Sequence, residues 1–420
     1  MSVPKLRFPE FRDAGEWEEK KLGEIASPVS EKSKGKDKEI ALTLSAEYGI
    51  VSQGDYFGKR IAGENVDRYI KISLNDFVYN DRITKSSTYG TIKRLSQYTS
   101  GLVSPIYKCF RFKDSENPVF WEWYFESGNH EIPLQQLVNE GARAGRFNIS
   151  IQKFLSIAVY SPESSEQQKI ADCLSSLDDR ITAETQKLDT LKAHKKGLMQ
   201  QLFPVEGETL PKLRFPEFRD AGEWEERKLG ELANFSSGGT PSKDISEYWN
   251  GNIPWISASS MYELNIWKSD LSITELGLKA GSRIAKKGSL LILVRGSMLH
   301  KRIPLGIALI DVAFNQDIKA LSFIGTNINK CFLLYQLIAM EAQLLDMVSA
   351  TGLGAGKLDT NELKQILVYI PNFPEQQKIA DCLSSIDEAI AAQSQAIDLL
   401  KLHKKGLMQQ LFPSVEEVRR

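Results

Sequence analysis

The chain has 420 residues and a mass of 47.2 kDa, too long for one ordinary core and suited to two or three domains. Hydrophobic residues make up 42% and charged residues 25%, the proportions of a soluble globular protein, which excludes a disordered or fibrous class. Lys and Arg number 53 against 54 Asp and Glu, a net charge of −1, so overall charge does not announce a nucleic-acid binder and local charge must be read instead. Cys109, Cys173, Cys331 and Cys382 lack C-x-x-C spacing, which points away from a zinc site or a disulfide framework and toward a reducing cytoplasm. The opening MSVPKLRFPE has no apolar h-region, and no stretch nears the roughly 18 apolar residues of a membrane span, so neither secretion nor membrane insertion is expected.

In chain order, the first element is the peptide PKLRFPEFRDAGEWEE, Pro4 to Glu19, which returns unchanged from Pro211 to Glu226. A second repeat begins EQQKIADCLSSLDD at Glu166 and EQQKIADCLSSIDE at Glu375, and each copy runs on to HKKGLMQQLFP, ending at Pro204 and Pro413. The chain therefore reads as two tandem units, each a repeated opening segment, a divergent block (about 27–165 and 234–374) and a repeated closing segment. The boundaries expected are 1–165 and 205–374 for opening segment plus block, 166–204 and 375–413 for the closing helices, and a tail at 414–420. Trp17 and Leu22, with Trp224 and Leu229, are expected to anchor the opening segments structurally, with partner docking as the lesser reading.

Within the first block, WEWYFES (121–127) reads as a short helix and FLSIAVY (154–160) as a strand; Trp121, Trp123, Tyr124 and Phe125 are read as core. RITKSSTYGTIKR places Arg82, Lys85, Lys93 and Arg94 around Ser86, Ser87, Thr88 and Tyr89, a pattern that can neutralise phosphates while hydroxyls seek base edges, or simply a solvated face. GARAGR supplies Arg143 and Arg146 on a glycine loop.

The closing segments read as helices. Apolar residues fall at Ile170, Leu174, Leu177, Ile181, Leu188, Leu191, Leu198 and Leu202, a heptad seam interrupted by Glu184 and Lys195. The second copy keeps the seam at Ile379, Leu383, Ile386, Ile390, Ile397, Leu400, Leu407 and Leu411, interrupted by Gln393 and Lys404. Ser165 with Gln168 suggests a capping box, Pro374 suits a first turn, and Pro204 and Pro413 suit the ends. Each helix should run near 38 residues, about 57 Å at 1.5 Å per residue. One reading packs each helix on its own domain. The other pairs the two in a coiled coil, antiparallel because the second block leaves the end of one helix and feeds the start of the other, with a pseudo-twofold between the halves.

In the second block, SLLILV (289–294), GIALI (306–310) and QILVYI (365–370) read as strands and CFLLYQLIAMEAQLL (331–345) as helical, giving a mixed α/β fold class. SSGGTPS is a turn whose Gly239 and Thr240 could approach a partner closely, with Lys243 adding a phosphate contact. No Asp or Glu lies between Glu275 and Asp311, whereas Lys279, Arg283, Lys286, Lys287, Arg295, Lys301 and Arg302 do, a positive face or a merely solvated one. GLGAGK ends in Lys357 but fails the Walker spacing, leaving a basic glycine loop or a structural turn.

This order of repeated segment, variable domain and EQQKIADCL helix, twice over, resembles the DNA specificity subunit of type I restriction-modification enzymes across essentially the whole chain. GGTPSKDISEYWNGNIPWIS, AFNQDIKAL, YGIVSQGDYFGKRIA and GLVSPIY are similar to stretches of that family's target recognition domains. The resemblance implies two target recognition domains, each reading half of a split asymmetric site in double-stranded DNA. The conserved helices would fix the gap, two methyltransferase subunits would dock, and restriction subunits would join through the complex. No methyltransferase or motor motif is present, His130, His194, His300 and His403 offer no metal spacing, and no catalytic residue, metal or cofactor is expected. The competing class is a non-catalytic coiled-coil scaffold that binds only protein.

Overall fold

The computed structural model describes residues 3–33, 39–58, 66–83, 87–137, 147–325, 327–350 and 354–413. The chain divides into two units, Met1–Thr185 with Gln395–Arg420, and Gln186–Ser394, so both long helices contribute to each unit.

In the first unit the strands are β1 (Glu18–Lys21), β2 (Ala26–Val29), β3 (Ala41–Ser45), β4 (Gly49–Ser52), β5 (Ile70–Ser73), β6 (Phe77–Asn80), β7 (Thr91–Arg94), β8 (Ser100–Val103), β9 (Lys108–Phe112) and β10 (Ala158–Ser161). β2, β9, β6 and β7 make one antiparallel sheet in that order. β4, β3, β8 and β5 make a second, in which only β3 and β8 run parallel. Pro28, which cannot donate to a ladder, sits on the edge strand β2, where that lack is tolerated.

In the second unit follow β11 (Glu225–Lys228), β12 (Ala233–Ser237), β13 (Trp249–Ile256), β14 (Asn265–Ile266), β15 (Ser272–Ile273), β16 (Arg283–Ala285), β17 (Leu290–Leu293) and β18 (Arg295–Gly296). Then come β19 (Leu305–Ala308), β20 (Val312–Phe314), β21 (Ile318–Phe323), β22 (Ser349–Ala350), β23 (Gly356–Lys357) and β24 (Leu367–Ile370). The sheets are β12-β21-β17-β19-β14 and β15-β13-β20-β16, the latter with β13 and β20 parallel. Strand by strand, β2 to β9 correspond in order and partner to β12, β13, β15, β16, β17, β19, β20 and β21. The two blocks thus share one plan despite their divergent sequences, and the second also has β14 and the small ladder β18-β23-β22, which have no counterpart among the described residues of the first.

The repeated segments close each block in the same way. β1 pairs with β10, and β11 with β24, joining opening strand to final strand. Arg7 makes a two-pronged bond to Glu166 (2.7 and 2.6 Å), and Arg214 does the same to Glu375 (2.7 and 2.8 Å). The next glutamine of each EQQ, Gln167 or Gln376, accepts the amide of Asn117 or Asn329 at 3.0 and 2.8 Å. Each Asn in turn caps the block's helix, Pro118–Glu126 or Lys330–Ala339.

The long helices span Ser164–Leu202 and Phe373–Leu411, 39 residues each, and their pairing is antiparallel within each unit. In the first, Ile170 and Leu174 share a core with Trp17, Trp121, Leu411 and Phe412, and Asp178 pairs with Lys404 at 2.5 Å. In the second, Ile379 and Leu383 share a core with Trp224, Met199, Leu202 and Phe203, and Lys195 pairs with Asp387 at 2.6 Å. Both sequence readings of these helices therefore hold in part: the ends enter the blocks' cores, and the seam between is sheltered. Leu188 and Ile397 are buried, while Leu177, Ile181, Leu191, Ile386, Ile390 and Leu400 are half-buried. The lysine interruptions of the heptad are matched clamps, for Lys404 lies 4.0 Å over the Trp123 ring and Lys195 5.0 Å over that of Tyr335.

Several local expectations are corrected. Ser165 forms no capping box, because Gln168 is engaged by Asn117 and Asp172; the second helix is capped instead by Asn372, whose side chain accepts from the Glu375 amide at 3.0 Å. Phe154 and Gln365 end short helices, Ile151–Phe154 and Thr360–Gln365, so the strands begin only at Ala158 and Leu367. The segment 331–345 is helical as expected, in two short pieces, Lys330–Ala339 and Glu341–Asp346. The reading of Trp121, Trp123, Tyr124 and Phe125 as core holds, for all four are buried.

The Arg214–Glu375 pair has 10% and 0% side-chain exposure, and removing one member strands the other charge. Glu375→Ala should destabilise the second unit by about 3–5 kcal/mol, read as a lowered denaturant midpoint. Lys286→Ala, which removes an exposed pair with Asp311, should leave that midpoint unchanged.

Candidate nucleic-acid interface

The registers of the five-stranded sheet decide which loops meet. Ser237 lies opposite Lys319, Leu293 opposite Ile318 and Ile292 opposite Leu305. The ends of β12 and β17 and the starts of β21 and β19 thus share one edge. Gly239 and Thr240 leave that edge from β12, Arg295 follows β17, and Lys301 and Arg302 precede β19. Lys357 joins them as the ladder partner of Arg295. Lys286 and Lys287 sit at the opposite edge, before β17, where Leu290 faces Ile307 and the chain turns toward Asp311. The basic run of the sequence is therefore parted into two places by the length of β17.

The two places differ in their electrostatics. Asp311 receives Lys286 Nζ and the Lys287 amide at 2.7 and 2.8 Å, and these bonds hold its carboxyl below the usual aspartate range. At the other edge Arg295 and Lys301 are exposed, and their side chains, like that of exposed Lys243 in the loop after β12, have no hydrogen bond or ion pair among the described residues. Lys357 lies 3.7 Å from Asp359. Arg302 is half-buried: it donates to the Met261 carbonyl at 2.9 Å and lies 5.3 Å over the Tyr262 ring.

The glycines of SSGGTPS approach the chain itself. The Gly239 amide donates to Phe314 at 2.9 Å, its carbonyl accepts from the Trp255 indole at 3.1 Å, and Thr240 donates to Gln316 at 2.7 Å. A Cβ at Gly239 would collide with the Gly281 carbonyl, and one at Gly238 with that of Phe314.

In the first unit, Arg82 follows β6, and Ser87 and Tyr89 precede β7, where Asn80 faces Thr91. Arg82 is exposed; the Tyr89 carbonyl accepts from the Tyr79 hydroxyl at 3.0 Å and its ring stacks on Phe147; Ser87 bonds the Gly90 carbonyl. Lys93 and Arg94 turn to the helix Pro118–Glu126, pairing with Glu126 and with Glu122, the latter at 2.6 Å. Burial raises the Glu122 carboxyl above its usual range, against the opposing Arg94 charge. Lys85, Arg143 and Arg146 lie outside the described residues.

The sequence reading missed the loop before Asp270. There Tyr262 is 66% and Trp267 49% exposed, and Lys268 lies 5.1 Å over the Trp267 ring. Nothing in the local pattern MYELNIWKSD distinguishes these rings from the buried Trp121 and Trp123. Among the described residues no group of three or more His, Cys, Asp or Glu is arranged to hold a metal, and no helix is long and apolar enough to cross a membrane.

Comparison with known proteins adds to this geometry. The family model described as type I restriction modification DNA specificity domain matches twice, over residues 14–193 and 221–402. The EcoR124I/EcoR124II specificity subunit of Escherichia coli is 33% identical over 168 residues, 40% of this chain and 41% of its own length. The MjaIX specificity subunit of Methanocaldococcus jannaschii is 30% identical over 187 residues, 43% of this chain and 41% of its own length. Each match thus spans less than half of the relative concerned. The crystal structure of a type I restriction-modification S subunit from M. genitalium has the same fold at a TM-score of 0.59 and 15% identity, covering 98% of this chain and 100% of that one. With the double match over both of its units, the chain belongs to the type I restriction modification DNA specificity domain family.

Gly239→Ala should destabilise the second unit by about 1–3 kcal/mol, the usual cost of overpacking, whereas Gly197→Ala, on the long helix with open space around it, meets no such clash. Denaturant titration of the two variants checks this.

Proposed function

We propose that the chain is the DNA-specificity subunit of a type I restriction-modification system, non-catalytic itself and working in the cytoplasm. Each block reads one half of a bipartite, asymmetric duplex site. The paired helices set the gap, and two methyltransferase subunits dock on the repeated segments. Restriction subunits join through the complex, so that the chain directs both adenine methylation and cleavage.

The observation that carries this reading is the pairing of one strand plan with two sequences. Two blocks built alike but spelled differently are suited to two different half-sites, while near-identical opening and closing segments are suited to two copies of one partner. The edge bearing Arg295 and Lys301 supports it further, because exposed cations with no partner among the described residues are what phosphate contacts require. Within the second block this edge is the better candidate than the one holding Lys286 and Lys287, where Asp311 already meets the Lys286 ammonium and the Lys287 backbone amide.

Replacing residues 27–165 by the corresponding block of a relative should change one half of the methylated motif and leave the other as it was. Mapping methylated adenines in a genome carrying the exchanged subunit and its partner reads this directly. If both halves changed together, the blocks would not be independent readers.

A further inference from the structure

We infer that Arg302, held by Tyr262 and the Met261 carbonyl, reads a guanine through the edge of the base, an assignment that rests on the DNA-reading function proposed above. Apart from Lys357, which lies 3.7 Å from Asp359, the cations at that edge of the second block fall into two kinds. Arg295 and Lys301 are exposed with side chains free of partners among the described residues, which suits a phosphate that only needs a nearby charge. Arg302 alone among them is fixed at two points: its Nη2 donates to Met261 at 2.9 Å, and its guanidinium carbon lies 5.3 Å from the centre of the Tyr262 ring.

No carboxylate among the described residues pairs with it, since the neighbouring Glu341 accepts the Ile303 amide at 2.9 Å instead. Its other N–H groups therefore remain available, and they are fixed in orientation. A planar, pre-positioned fork is what two parallel bonds to O6 and N7 of guanine demand, and ring contact with Tyr262 lowers the entropy that a free arginine would lose on binding. The ring supports the same conclusion from its own side. At 66% exposure Tyr262 is not core packing, and the loop carries a second exposed ring, Trp267, with Lys268 over it.

The test uses the full chain assembled with its methyltransferase and a pool of duplexes randomised over the site, with the bound fraction sequenced and affinities measured at several salt concentrations. Arg302→Lys keeps the charge and loses the fork, so it should fold normally and lose preference for one guanine by about 10- to 100-fold, all other positions unchanged. Tyr262→Ala should blunt the same preference without changing the salt slope. Lys301→Ala should do the opposite, weakening all sequences alike and flattening the slope by about 0.9. If Arg302→Lys and Arg302→Ala kept the wild-type preferences, or weakened every sequence equally, Arg302 would be a structural or phosphate contact and the inference would fail while the proposed function stood. A wild-type assembly without sequence preference would overturn both.

Discussion

Each block is closed by one buried ion pair, Arg7 with Glu166 and Arg214 with Glu375, and the remaining architecture is arranged around it. The glutamates have 2% and 0% side-chain exposure, so each needs its arginine to be tolerated at all. The pair joins the opening segment to the first turn of the closing helix. The adjacent glutamine then grips the asparagine that caps the block's own helix. Through this latch a repeated tripeptide, EQQ, holds a variable domain without depending on the sequence of its sheets. That is why the blocks can diverge so far while their strand plans coincide.

A second constraint comes from the far ends of the helices. The core that contains Trp17 is completed by Leu411 and Phe412 from the end of the chain, and the core that contains Trp224 by Leu202 and Phe203. Each unit therefore needs the start of one long helix and the end of the other. Between these seats the matched clamps, Lys404 with Asp178 and Trp123, and Lys195 with Asp387 and Tyr335, favour this register, since a shift would part each lysine from its carboxylate and ring.

Much of this was legible in the sequence, because the opening repeat is exact and the closing repeat keeps its 3.5-residue period in both copies. The helix limits were foreseen within a residue or two, as was the burial of Trp17 and Trp224. What escaped had physical causes. Lys195 and Lys404 looked like flaws in a seam because their partners, Asp387 and Asp178, lie about two hundred residues away in sequence. Phe154 and Gln365 looked like strand because apolar runs do not mark where a short capped helix gives way to an extended segment. The basic run of the second block read as one patch because sequence proximity hides a strand: Lys286 and Lys301 flank β17 and β18 and end at opposite edges. Tyr262 and Trp267 carried no signal because exposure belongs to the folded loop.

If the antiparallel helices act as the ruler between two readers, the gap in the recognised site must follow their length. The most direct measurement inserts one heptad after Leu188 and another after Ile397, preserving the seam on both helices. Seven residues add about 10 Å of helix, equivalent to roughly three base pairs at 3.4 Å each. Methylation mapping should then return the same two half-sites with the unspecified gap lengthened by about three base pairs. Methylated sites that keep the original gap would contradict a helix-set spacing.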